Sequence, residues 1–248
     1  MLSPLPSGGN PSGDDLVTGE WATRWLSGER LAPYLAACDG DINRALDLYD
    51  WNVRLGQVLM RDISHFEVAL RNSYDQIMTT RWGDDWLFDD SSPVRRPIMR
   101  RAARGELDAN RINRKTIDAV LARLPSSATH GALVAGLTLG FWIHLTDRSH
   151  DVDLWRSGLY LAWPKGTSRP MLHQLLDGIL RVRNRVAHEE RLFNPKSDGL
   201  LPSIVDGNTL SLLNSLCPQA HERLYGGLGS SSVEYFCSEY PPPANVRL

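Results

Sequence analysis

Between positions 55 and 77 the apolar residues fall at steps of three and four: Leu55, Leu59, Ile63, Phe66, Leu70, Tyr74 and Ile77. That spacing keeps them on one stripe of a 3.6-residue helix, and it predicts a long amphipathic helix running to about Thr80. Upstream, Asp41 is placed to cap a helix beginning at Ile42, and shorter patterns predict helices over residues 21–26 and 29–37. The same period returns in Met171-Leu172, Leu175-Leu176 and Ile179-Leu180. These follow Pro170, whose missing N–H costs nothing at a helix N-terminus, so this helix is expected to run to about His188. Residues 97–115 read as one helix and the start of a second, broken near Gly105, and helical character continues to Pro125. Residues 132–146 and 152–163 read as helices flanking a loop at Arg148-Ser149-His150, and residues 208–224 as a last helix. Strand-type alternation is almost absent. The expected fold class is all-α, a helical bundle with extra N-terminal helices.

The ends of the chain change that picture only at the margins. Residues 1–19 are rich in Gly, Pro and Ser and are expected to be disordered. Residues 226–248, with an SSS and a PPP run, are expected to form a flexible tail, leaving 20–225 as a single helical domain. The longest apolar run, residues 132–145, contains two glycines and is shorter than the roughly 20 residues a bilayer span needs. It reads as buried core, with Trp142 and Trp155 as core residues and His144 as a satisfied core histidine.

Composition narrows the function classes. The chain has 248 residues, 42% hydrophobic and 23% charged, as a soluble globular protein with a sizeable core requires. A formal net charge of −2 points by itself to neither nucleic acid nor membrane. Cys38, Cys217 and Cys237 are odd in number and far apart, which argues against a metal cluster or disulfide framework and for a reducing, cytoplasmic setting. The N-terminus lacks the basic start and apolar stretch of a secretory signal. No glycine-rich phosphate loop, H-E-x-x-H or Ser/His/Asp arrangement stands at useful spacing, so no cofactor or metal is expected.

The candidate chemistry lies at RNRVAH, residues 183–188. On a helix Asn184 and His188 share a face, and Arg183 is long enough to reach round beside Asn184. Arg185 forms an i, i+4 pair with Arg181 on another face. RNA brings its own nucleophile, the 2′-OH. An enzyme acting on it needs a group to move protons and a cation to hold the extra negative charge on phosphorus. Imidazole serves the first role near neutral pH, and guanidinium is a planar, permanent phosphate ligand. Cations at a helix C-terminus also simply complement the dipole, so the spacing alone leaves both readings open.

The stretch resembles the R-N-x-x-x-H signature of HEPN-domain ribonucleases. LVAGLTLGFWIHL (133–145), DLW (153–155), RVRNRVAHEERLFN (181–194), ALDLYDWN (45–52) and FEVALRN (66–72) together resemble the Abi-like, abortive-infection branch of those proteins, over roughly residues 25–194. The resemblance implies an α-helical HEPN-like domain that cleaves RNA without metal, at an active site formed from two copies of the motif in a homodimer. It also implies a role in phage defence or toxin–antitoxin systems, with a neutralising antitoxin among the partners. Carried over, His188 and Arg183 are the catalytic pair and Asn184 supports them. Two departures stand out. Some HEPN toxins place a tyrosine two residues after the histidine, where this chain has Glu190. The family's frequent second histidine is replaced by Glu189.

Two further features bear on substrate. Glu67 and Arg71, i and i+4 on the long helix, read as an intrahelical ion pair or, as the resemblance implies, as part of the catalytic cavity facing the Arg183 helix. Residues 95–115 carry eight basic side chains against Glu106 and Asp108. Arg96, Arg100 and Arg104 recur every four residues and are expected on one helical face. That face is either merely solvated or an RNA-backbone track. Arg185 joins these as a substrate-binding candidate. The expected function is therefore a metal-independent endoribonuclease. The alternatives are a non-catalytic RNA-binding or regulatory module and a helical interaction protein.

Overall fold

The structure is a computed structural model that describes residues 19–102, 105–125, 127–193, 199–227, 231–244 and 246. It is built around one helix. α1 (Glu20–Leu26) and α2 (Gly28–Ala37) lead into α3 (Ile42–Trp82), 41 residues without interruption. At 1.5 Å per residue it is about 60 Å long. The Asp41 carboxylate accepts from the N–H of Asn43 (3.0 Å) and of Arg44 (3.2 Å), satisfying two of the orphan donors at the helix start. The apolar stripe from Leu55 to Tyr74 is the buried face, and it extends upstream through Ala45, Leu48 and Trp51. The cap at Asp41 and the stripe therefore belong to one element.

α7 (Arg169–Ala187), α8 (Pro202–Leu216) and α10 (Ser232–Glu239) pack on α3, and α9 (Pro218–Tyr225) packs on α8. α7 buries Leu172, Leu176, Ile179 and Val182, the face its period predicted, with Pro170 in its first turn. α7 comes close to α3 at Gly56, where an added Cβ would stand 3.1 Å from Val186 Cγ1. Pro218 divides the expected last helix into α8 and α9. The expected flexible tail contains α10, capped by Ser231 Oγ and burying Val233 and Phe236. Of the expected disordered segment 1–19, residues 1–18 lie outside the described residues.

The expectation for residues 97–115 is corrected. They form a hairpin, β1 (Met99–Ala102) antiparallel to β2 (Gly105–Asp108), with Arg100 opposite Leu107, followed by α4 (Arg111–Leu121). Gly105 takes φ +111, a conformation that suits glycine and ends any helix there. The Asp108 carboxylate accepts from the N–H of Ile98 and of Asn110, both at 3.0 Å, and pairs with Arg114. The buried Asn110 amide donates to Pro93 O (2.7 Å) and Arg96 O (2.8 Å) and accepts from Asn113 and from His150 Nε2 at 2.9 Å. Burial lowers the His150 pKa to about 4, with the neighbouring His144 adding to the shift, so this network holds a neutral ring. Arg96 and Arg100 thus share no helical face, and Arg104 lies outside the described residues.

Two other expected helices are broken. Residues 132–146 split into α5 (His130–Gly136) and α6 (Leu139–His144) at extended Leu137 and Thr138. Gly136 abuts α4 so closely that a Cβ would meet Val120 Cγ1 at 2.5 Å. Residues 152–163 form a π turn (Asp151–Trp155) and a 3-10 turn (Leu159–Ala162), after a 3-10 turn at Arg148–His150. Trp142 and Trp155 are buried as expected, and His144 is half-buried against Ala109 O at 3.3 Å. No described helix is long and apolar enough to cross a membrane.

A buried carboxyl pair joins α3, α8, α9 and α10. Asp62 and Asp206 are both fully buried. Tyr225 O–H donates to Asp62 Oδ1 (2.7 Å) and His65 Nδ1 stands 2.6 Å from the Tyr225 hydroxyl, while Arg61 lies 3.7 Å from Asp62 Oδ1. Asp206 Oδ2 accepts from Ser231 Oγ (2.8 Å) and from the N–H of Val233 (3.1 Å). Among the described residues the two remaining oxygens have no other partner, and one proton shared between the carboxyls would satisfy both. Burial, then the charge of Asp62, pushes Asp206 up to about 6. A carboxyl raised in the fold stabilises it below the unfolded value of 3.8, and that contribution is lost as pH rises through about 6. Asp206→Asn is therefore expected to stabilise the protein at pH 7.5 by about 2 kcal/mol and to change little at pH 4. Urea midpoints at the two pH values check this, and an equal shift at both contradicts the shared proton.

Candidate active site at the end of helix α7

The last turn of α7 is wound shut by its own backbone. His188 is the C-cap residue, and its N–H reaches Asn184 O at 2.9 Å. Glu189 follows at φ +54, the left-handed region that commonly ends helices, although glycine is the usual residue there. The Glu189 N–H then bonds Val186 O (2.9 Å) and the Glu190 N–H bonds Arg185 O (2.8 Å). Arg30 of α2 ties the Glu189 carboxylate at 2.5 Å. Asn52 of α3, 3% exposed, holds the turn from below. Its Oδ1 accepts from the Leu192 N–H (2.7 Å) and its Nδ2 donates to Glu190 O (3.3 Å). In the sequence Asn52 stands at the end of ALDLYDWN, with no functional role expected of it. Its signal is a polar residue within the apolar stripe between Leu48 and Leu55.

Arg183 and Asn184 occupy one side of this helix end. Arg183 is half-buried and its Nη1 donates to Asn184 Oδ1 at 3.3 Å, with Asn184 exposed. Glu67 of α3 faces the same guanidinium. Burial pushes the Glu67 carboxyl up, opposed by the charges of Arg183 and Arg71 and by the N–H of Leu139. Arg71 Nε is buried without a hydrogen-bond partner among the described residues, which leaves a donor unspent beside this cluster. The Glu67 carboxyl thus lies within electrostatic reach of both Arg183 and Arg71.

His188 is not joined to that cluster within one chain. Its side chain is exposed and lines a groove with Arg185 and α2, and among the described residues no hydrogen bond links it to Arg183. Arg185 is half-buried and donates from Nη2 to Arg191 O at 2.6 Å. Arg96 and Arg100 lie on the hairpin instead. Both pair with Asp153 of the π turn, Arg96 at 3.0 Å, and Arg100 Nε also donates to Ser149 O at 2.9 Å. These contacts hold the hairpin against the body of the protein. Among the described residues no group of three or more His, Cys, Asp or Glu side chains is placed to hold a metal ion.

The sequence model of the family described as Abi-like protein matches residues 39–194. Comparison with curated proteins and with solved structures finds no match. The matched segment runs from just before the α3 cap to just beyond the turn after α7, taking in Asn52, Glu67, Arg71, Arg183 and His188. That segment is well over half of the chain, and the protein belongs to the Abi-like family.

Proposed function

We propose that the protein is a HEPN-type endoribonuclease that cleaves RNA by attack of its own 2′-OH, with no metal ion required. Membership of the Abi-like family suggests an abortive-infection type of role. The observation that supports the reading is the presence, on one helix end, of a half-buried guanidinium and an exposed imidazole. Arg183 lies within electrostatic reach of Glu67 and donates to Asn184, and His188 caps the helix at the closing turn that Asn52 bonds.

Neutral His188 takes the proton of the 2′-OH as the 2′ oxygen bonds to phosphorus. Arg183 holds the phosphate oxygens as negative charge builds on them. The 5′ oxygen leaves and takes a proton from an imidazolium. The products are a 2′,3′-cyclic phosphate and a 5′-OH. Asn184 orients Arg183 or a phosphate oxygen. In a single chain His188 and Arg183 open to different sides. A homodimer in which each edge faces its copy would supply both groups to one phosphate. A neutralising partner that covers this edge would silence it.

The test is incubation of the purified protein with RNA in EDTA. Cleavage to cyclic-phosphate ends is expected, at a rate dependent on protein concentration through dimer formation. A requirement for added magnesium, or products ending in 5′-phosphate, overturns the mechanism. Tight RNA binding without turnover would favour the alternative, a non-catalytic RNA-binding module.

A further inference from the structure

The groove that His188 opens into is half built by a helix outside the family segment. It has a volume of about 720 Å³, within the range that holds small organic ligands. Arg185, His188 and Arg191 form one wall, and Arg30, Pro33 and Tyr34 of α2 form the other. α2 ends at Ala37, before the matched residues 39–194 begin.

Tyr34 makes the groove more than a surface crease. It is 1% exposed, and its ring packs edge-on against Tyr49 and Phe193 at centroid distances of 5.5 and 5.4 Å. Its hydroxyl is buried with no hydrogen-bond partner among the described residues. An orphaned buried hydroxyl costs stability, and replacing it by hydrogen would cost the fold nothing. Burial pushes the phenol up to about 12, the charges of nearby Arg30 and Arg191 opposing, so the group is a neutral O–H donor. The rim mixes guanidinium donors with the exposed carboxylates of Glu29, Glu189 and Glu190. Donors and acceptors in alternation suit the edge of a nucleobase better than a bare phosphate.

We propose that this groove is the subsite for an unpaired nucleotide of the RNA strand beside the bond to be cut, with the Tyr34 hydroxyl and Arg30 reading its base. The proposal rests on the ribonuclease reading for the identity of the ligand. Its placement rests on the orphaned hydroxyl and the position of His188. Arg30 then exchanges its Glu189 partner for the nucleotide. A wall of hydrogen-bonding groups facing a base gives the enzyme a sequence preference, because a base lacking the matching edge leaves buried polar groups unpaired.

The experiment uses the full chain and a fluorescein-labelled, single-stranded 2′-fluoro RNA of random sequence, which lacks the attacking hydroxyl and cannot be cut. Dissociation constants from fluorescence anisotropy are compared for the parent, Tyr34→Phe, Arg30→Gln and the surface control Arg123→Gln. Tyr34→Phe and Arg30→Gln are each expected to weaken binding by about five-fold or more, the loss of one or two hydrogen bonds, with the control unchanged. The thermal midpoint of Tyr34→Phe is expected to equal or exceed that of the parent, since the hydroxyl it removes has no partner among the described residues. Binding within about two-fold of the parent in both groove variants overturns the subsite, as does absence of RNA binding by the parent. Because the RNA cannot be cut, weakened binding by a protein that fails to cleave ordinary RNA would uphold the groove and reject the ribonuclease reading.

Discussion

His188→Ala is expected to lower the rate of RNA cleavage by about 10²–10⁴-fold, the usual share of a general acid/base, and to leave the thermal midpoint unchanged. The separation of the two effects follows from the local structure. The ring of His188 is exposed, and the residue's contribution to the fold is its backbone N–H on Asn184 O, which alanine retains. Arg183→Ala is expected to lose a comparable factor in rate. It should also perturb its neighbour, because the half-buried Glu67 carboxyl then loses one of the two positive charges that oppose its upward shift. Arg183→Lys keeps the charge but not the planar fork that grips two phosphate oxygens, so it should recover only part of the rate. Single-turnover rates on one labelled RNA check all three. A His188→Ala protein that keeps more than about a tenth of the parent rate would remove the imidazole from the chemistry.

Asn52→Ala is expected to destabilise the protein by about 2–4 kcal/mol and to reduce cleavage even at temperatures where it is folded. The side chain makes two hydrogen bonds to the turn that follows α7, and alanine would strand the Leu192 N–H and the Glu190 carbonyl, each at about 1–3 kcal/mol where it is shielded from water. Released from α3, the chain after Ala187 would no longer fix His188 against Arg185 and α2. Asn52→Asp should recover part of the stability, since a carboxylate can still accept from the Leu192 N–H but cannot donate to Glu190. Urea unfolding read beside the cleavage rate distinguishes the cases. A loss below about 0.5 kcal/mol would mean that the turn holds itself and that Asn52 is dispensable.

What was legible beforehand tracks the reach of the forces involved. The long stripe of α3 and the Pro170-led pattern of α7 are local signals repeated over many turns, and both helices formed with the predicted faces buried. Residues 97–115 misled because arginines at every fourth position suit an exposed helix face. What decided the outcome was Asn110 and Asp108 gathering backbone groups from either side of the hairpin, contacts with no periodic trace. The split between α5 and α6 likewise depends on the close approach of Val120 to Gly136, a tertiary contact. At the site, helical spacing indicated that Arg183 lies beside Asn184. The division of His188 from Arg183 was not visible, because His188 leaves helical geometry at the cap. Tyr34 left no signal, since an aromatic on a short amphipathic helix reads as core.

Helix α3 carries Asn52 under the closing turn, Asp62 in the shared-proton pair, Glu67 against Arg183 and Tyr74 in the core. A rigid rod of this kind acts as a vernier. Each added or deleted residue turns everything beyond it by about 100° and slides it by about 1.5 Å. No single-residue change of length between positions 52 and 67 can leave both the turn and the guanidinium in register with α7. Diversification of this site is therefore confined to side-chain exchange along the rod.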